Sequence, residues 1–507
     1  MALIPLDIPP GVFRNGTAYQ SSGRWFDANL VRWKDGQLQP IGGWQRISGS
    51  AFSGKARALR AWRDNAARRW LAIGTNEGLR VYDNNKFYDI TPAPGGDPFP
   101  PGRENSIFGL GWGADKYGED AYGTERAASG LILDAATWSL DNWGQNLVAC
   151  APHDGRIYEW VAPSSFGDPI VEAELIPDAP TECRGILVTE ERHLVAFGAG
   201  GNPRKVAWSD QEDNTIWAPT ATNAAGDLEL VTSGLYQASR RMPGQILIWT
   251  DQDLHVMQYV GQPFIYAIER AGEAGIIGPN SHMAFGNSCV WMGPKGFWIF
   301  DGVVRPLDSE VSDYVFRDIN MFQSAKVTAC HINALGEIWW FYPSQNSVEN
   351  DRYVIWNYRE GHWSIGNLDR TAWVDEGVFS FPIAAGADGF LYQQEQGFTD
   401  NGATRVGQVF AQSAPLEVGN GDQVTSVVQL IPDGCPNVPT CTQVFFDLQF
   451  TPIGPTTTKG PFTFDRADGY SDARFTTRQA RLRVEATQDA PFRFGTLRLE
   501  TRLGGRR

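Results

Sequence analysis

The chain has 507 residues, a formal net charge of −15, 19 Trp, 28 Phe and 15 Tyr, with 55 Gly and 31 Pro. Its acidic balance argues against a free nucleic-acid binder, since phosphate affinity is built mainly from Lys and Arg, and no apolar run reaches the length of a membrane-spanning helix. Aromatic richness combined with abundant turn formers points to an all-β protein.

Residues 1–28 are polar, with Pro5, Pro9 and Pro10, and read as an extended segment that packs only if something holds it. No basic stretch precedes an apolar one there, so no secretory signal is expected and synthesis is placed in the cytoplasm. Residues 29–48 read as a hairpin turning at Asp35-Gly36, a pair that suits a tight turn. An early strand of this kind is expected to complete the last sheet of a ring, beside residues 374–396.

A repeated phrase then begins: short apolar strands separated by Gly, Asp and Asn turns. It appears at 71–90, at 146–160 with a turn on Asp154-Gly155, at 185–197, 245–259, 288–308, 327–365 and 377–392. A period of roughly 40–50 residues with several strands per copy signals a radial β architecture, above all a β-propeller. The strands are nearly continuous apolar runs, as expected when both faces of a sheet are covered. A stack of unrelated β-sandwiches gives the same local pattern and stays open, and the blade number is six or seven. The propeller is assigned to residues 29–400.

Residues 92–136 interrupt the repeat with glycines, prolines and the doublets Tyr117-Gly118 and Tyr122-Gly123. Long loops inside compact domains usually carry a contact or function, so Tyr117 and Tyr122 are candidate partner contacts. The Gly109-Leu110-Gly111-Trp112-Gly113 stretch lacks the Lys-Ser/Thr and the strand-to-helix setting of a phosphate loop.

From residue 401 longer alternating strands predict a small antiparallel β-sandwich-like domain, with one edge open to completion by another chain. Residues 465–507 hold ten arginines against six acids. Arg498, Arg502, Arg506 and Arg507 are candidates for pairing with an acidic neighbour or nucleic-acid backbone; arginines merely alternating outward on strands are the plainer alternative.

Chemistry is sought and not found. The six His residues show no metal-ligand spacing, and neither a nucleophile elbow nor a Walker loop occurs. The stretch Trp208 to Trp217 fails the sialidase Asp-box pattern and reads as a blade turn with a capping Asp. Most cysteines read as buried thiols, whereas Cys435 and Cys441 are a possible small disulfide or half a metal site. Trp291, Trp298, Trp339 and Trp340 read as packing between blades. No catalytic, metal or cofactor residues are named, and no enzyme is expected.

Three stretches carry a resemblance: Pro203 to Asp210 with Trp217 and Asn223 to Asp227; Tyr353 to Trp363; and Arg493 to Arg507 with its terminal Gly-Gly-Arg-Arg. Together with the Tyr-Gly doublets they resemble structural proteins of tailed bacteriophages, most nearly the propeller-containing tail nozzle or tail-tube proteins of short-tailed phages. Those proteins are larger and carry more inserted domains. The resemblance implies a virion protein of the distal tail, a homohexameric ring docked on an adaptor protein and possibly on tail fibres. DNA would pass through its channel at genome ejection without specific binding, helped by an acidic lumen. The alternatives are a peripheral propeller recognising host glycan and a glycan-cleaving propeller enzyme.

Overall fold

The computed structural model describes all residues except 1, 94, 96–97, 109–131, 166, 419–423, 434–440, 452–453, 465–467 and 506–507. Among the described residues, seven four-stranded antiparallel sheets follow one another along the chain. Their innermost strands are Ala56–Arg63, Ser139–Trp143, Gly185–Val188, Tyr236–Met242, His282–Phe285, Thr328–Ile332 and Ala372–Val374. Residues from all seven line one axial cavity. The protein is therefore a β-propeller, and the six-or-seven ambiguity resolves to seven blades.

The second strand of each blade explains the apolar runs. Gln245–Thr250 in blade 4 and Glu337–Tyr342 in blade 6 are buried on both faces, because each blade packs against two neighbours. Separate apolar clusters join blades 1 and 2, 2 and 3, 3 and 4, and 4 and 5; another joins 7 back to 1. Tryptophans form the seams. Trp340 of blade 6, fully buried, donates to Ser281 O at the start of blade 5, and Trp138 of blade 2 donates to Thr75 O of blade 1. Trp291, Trp339 and Trp340 are buried as expected, with Trp298 partly so.

The ring closes as the sequence suggests, though with fewer residues. Trp44–Arg46 pairs antiparallel with Leu391–Gln394 and supplies the outermost strand of blade 7. The predicted turn exists between Val31–Lys34 and Gln37–Pro40, with φ of 53° at Asp35 and 73° at Gly36, but that hairpin remains a separate two-stranded ribbon. Three other expectations need correction. Asp154-Gly155 is not a two-residue turn: Asn146–Cys150 and Ile157–Trp160 are joined by residues 151–156, in which Ala151 O accepts from both Asp154 N and Gly155 N. Residues 377–381 are not a strand. They loop between Ala372–Val374 and Ile383–Ala385.

The third correction concerns the chain ends. The sandwich is built from both. One sheet orders Ala2–Leu6, Leu497–Leu503, Thr425–Ile431 and Ser471–Thr477. The other orders Trp25–Asn29, Phe410–Ser413, Gln479–Ala486, Thr442–Gln449 and Thr457–Thr463, with Leu416–Glu417 also on Gln479–Ala486. Residues 1–28 are thus not a free extension, and the edge left open to another chain is occupied by this chain's own first strand. Pro5 is tolerated there because an edge strand leaves one row of amides unpaired. Val444, Phe446, Leu482 and Val484 on the inner face belong to the same apolar cluster as Trp339 and Tyr353 of blade 6. Leu30 N donates to the Tyr353 hydroxyl at 2.9 Å across that junction.

Candidate functional site

In a propeller, ligands and partners meet the axis and the loops at its two ends, so the site is built from the seven innermost strands. They enclose a cavity of about 290 Å³. The end at which these strands begin is capped by a polar network. Arg57, at the start of blade 1's strand and buried, makes a bidentate pair with Glu349 at 2.8 Å on both oxygens, and donates to Glu104 O at 3.2 Å. Glu349 sits on a loop of blade 6. Lys326, fully buried, donates to Asn105 Oδ1 and Val348 O at 2.6 and 2.5 Å and lies 3.8 Å from Glu349. Burial pushes the Lys326 amine down to about 8 against the pull of Glu349. Burial pushes the Glu349 carboxyl up, but the Arg57 bonds and Lys326 outweigh it and hold it below the usual carboxylate range.

The roots of the 92–136 insertion belong to this cap. Phe99 is buried and stacks on Trp138 at 5.4 Å. Ser106 exchanges two hydrogen bonds with Gln323, and Phe108 stacks on Phe322 at 4.2 Å. Ile107–Phe108 then pairs with Ile132–Leu133 as a two-stranded stem. Tyr117 and Tyr122 lie outside the described residues, as do Arg506, Arg507 and Cys435. Arg498 and Arg502 share the exposed face of Leu497–Leu503 on the sandwich, away from the axial cavity. The expected capping Asp is present: Asp210 Oδ1 accepts from Gln211 N and Ala224 N. Among the described residues, no three His, Cys, Asp or Glu gather as a metal site, and no helix is long and apolar enough to cross a membrane.

Further along the axis lie groups that sequence reading missed: Arg60, Asp141, Arg240, Arg241 and His282. A usable signal existed, since arginines stand inside short strand-like stretches such as residues 56–63 and 236–242. His282 stacks on Trp249 at 4.9 Å with its ring nearly parallel. Burial, reinforced by Arg240, pushes its imidazole down to about 3. A base held neutral in the fold stabilises fully above its unfolded pKa of about 6.5 and loses that contribution as pH falls toward the folded value. His282→Phe is therefore expected to flatten the loss of stability between about pH 6 and about pH 4.5 by up to about 1.4 kcal/mol per pH unit. Urea unfolding at several pH values measures this; an unchanged slope refutes it.

No family model matches the sequence, and no curated protein matches it either. Solved structures similar to this chain are propeller proteins. The N-terminal domain of Nup159 is 10% identical, covering 73% of this chain and 98% of that one, with a TM-score of 0.37. The gluconolactonase XC5397 of Xanthomonas campestris is 9% identical, covering 73% and 98%, with a TM-score of 0.31. The AfRom2 CNH domain is 7% identical, covering 69% and 98%, with a TM-score of 0.37. No activity or partner carries over at this distance.

Proposed function

We propose that this protein is a structural subunit of a bacteriophage tail: the nozzle or distal tail-tube ring, which docks on an adaptor, closes the DNA channel and passes the genome at infection. The observation that carries this reading is the rooting of the insertion. A loop meant only to connect two blades needs a few residues, whereas the roots of this one are anchored by Phe99, Ser106 and Phe108 at a capped axial mouth. A rigid base under a long insertion is what a subunit contact requires, because an ordered base lowers the entropy lost on docking. The closed propeller and the sandwich that unites both chain ends also suit a part under internal pressure, since few strand edges remain free. In this reading six copies close into a ring by heterologous contacts, and the acidic surplus limits sticking of DNA.

One observation favours the glycan-binding alternative. Phe264 is 76% exposed at the tip of blade 4's outer hairpin, with Tyr259 half-exposed on the adjoining strand. Immuno-electron microscopy of purified particles separates the two. Label on the tail axis at its tip is the expected result; label on peripheral appendages favours the glycan binder, and absence from particles overturns both. Deleting residues 109–131, within the stem, is expected to leave a soluble fold that fails to assemble. A wider deletion of 98–126 removes Phe99 and Ser106 and is expected to damage the fold itself.

A further inference from the structure

Beyond the capped mouth, the axial cavity carries more positive charge than it neutralises. Arg60 donates from Nη2 to Asp141 Oδ1 and from Nε to Asn142 Oδ1, each at 2.8 Å. Asp141 Oδ2 accepts from Val188 N at 2.9 Å and lies 3.7 Å from Arg241 Nη1. Arg241 also donates to Val188 O. Arg240 has no carboxylate partner among the described residues; its Nη2 rests 3.8 Å from Met283 Sδ. Two guanidinium groups, Arg60 of blade 1 and Arg241 of blade 4, thus share one carboxylate from blade 2, and the third, Arg240, has none of its own. Burial disfavours the charge on Arg240, and the neighbouring Arg60 and Arg241 add to that against the pull of Asp141.

Arg240 is half-buried, and a guanidinium partly withdrawn from water without an ion pair of its own is costly, a cost that a bound anion lowers. The guanidinium fork matches tetrahedral oxyanions bidentately. A volume of about 290 Å³ is at the small end of ligand sites, enough for one or two phosphoryl groups and too small for a folded segment. We propose that the axial cavity is a binding site for a compact multivalent oxyanion of the phosphate or diphosphate class, held by Arg240 together with Arg60 and Arg241. The site is independent of the tail reading: it belongs to each propeller, not to a ring of them.

Calorimetric titration of the full-length chain with pyrophosphate tests it, alongside thermal unfolding in chloride, phosphate and pyrophosphate at matched ionic strength. The expected result is one pyrophosphate per chain and a rise in Tm ordered pyrophosphate, phosphate, chloride. Arg240→Gln is expected to weaken binding at least about tenfold while the fold persists by circular dichroism, since the substitution removes an unpaired charge. Binding unchanged in Arg240→Gln overturns the site. If that variant does not fold, the anion series decides alone: equal Tm in all three salts overturns it. Competition by a 5′-phosphorylated oligonucleotide assigns the phosphate to a nucleic-acid end, and lack of competition assigns it to the free anion; both support the site.

Discussion

Replacing Arg405 by Ala is expected to lower the unfolding free energy by about 3–5 kcal/mol, because the side chain locks the strand that closes the propeller. Arg405 is buried and has no ion-pair partner of its own among the described residues. It donates to three main-chain carbonyls instead, from Nε to Phe398 O at 2.8 Å, from Nη1 to Gly42 O at 3.1 Å and from Nη2 to Ile41 O at 2.7 Å. Two of these lie immediately before Trp44, whose ring is held between the guanidinium groups of Arg405 at 5.1 Å and Arg370 at 4.9 Å. Trp44 Nε1 donates to Asp400 Oδ1 at 2.5 Å. Gly42 and Gly43 make the approach possible: a Cβ on Gly43 would stand 2.3 Å from Thr399 O, and one on Gly42 2.6 Å from the Glu395 Cα. Truncation leaves the carbonyls without their buried donor and removes one wall of the Trp44 clamp. Arg405→Lys is expected to recover little, since one ammonium does not reproduce a three-way fork. Denaturant unfolding reads the loss directly. A change below about 1 kcal/mol would refute the lock.

Glu349→Gln is expected to cost about 3–5 kcal/mol, the range found when one member of a buried ion pair is removed and its partner stays charged. Here two cations are left, Arg57 and Lys326, both almost wholly enclosed. The second substitution Lys326→Met distinguishes this cause from mere loss of a hydrogen bond. In the Glu349→Gln background it removes one stranded charge and is expected to restore part of the stability, whereas in the native background the same change is expected to destabilise. Opposite signs in the two backgrounds form a double-mutant cycle; the same sign in both would refute the mechanism. The loss falls at the end of the axis that anchors the insertion, since Asn105 and Glu104 contribute to the same network.

What the sequence revealed follows the physics of burial. Central strands such as Glu337–Tyr342 are covered on both faces and announce themselves as apolar runs. Outer strands do not. Glu174–Leu175, Gly226–Glu229 and Val304–Pro306 are short and largely exposed, which left the blade count open. Blade 7 hides for another reason: Ala372–Val374 and Ile383–Ala385 are only three residues each, and the aromatic loop between them imitates a strand better than they do. The N-terminal strands were illegible because the partner of Ala2–Leu6 is at the opposite end of the chain, and no local pattern encodes a pairing that distant. The axial site has the same character. Arg57 and Arg60 of blade 1, Asp141 of blade 2 and Arg240 of blade 4 are drawn from three blades, so no spacing across them is a motif. Single charges inside strand-like stretches were the only trace, and the arginines of residues 465–507 drew attention in their place.

The interleaved ends also set a schedule for biosynthesis. The strands at Ala2–Leu6 and Trp44–Arg46 leave the ribosome hundreds of residues before their partners Leu497–Leu503 and Leu391–Gln394. Blades 1 to 6 contain all their own strands and are free to form as they appear; blade 7 and both sheets of the sandwich must wait. Until those partners emerge the nascent chain carries unpaired strand edges, which are prone to wrong pairing. Closure of blade 7 and of the sandwich therefore waits for residues 391–503, and a chain that stops before them lacks the pieces that close the ring and its companion domain.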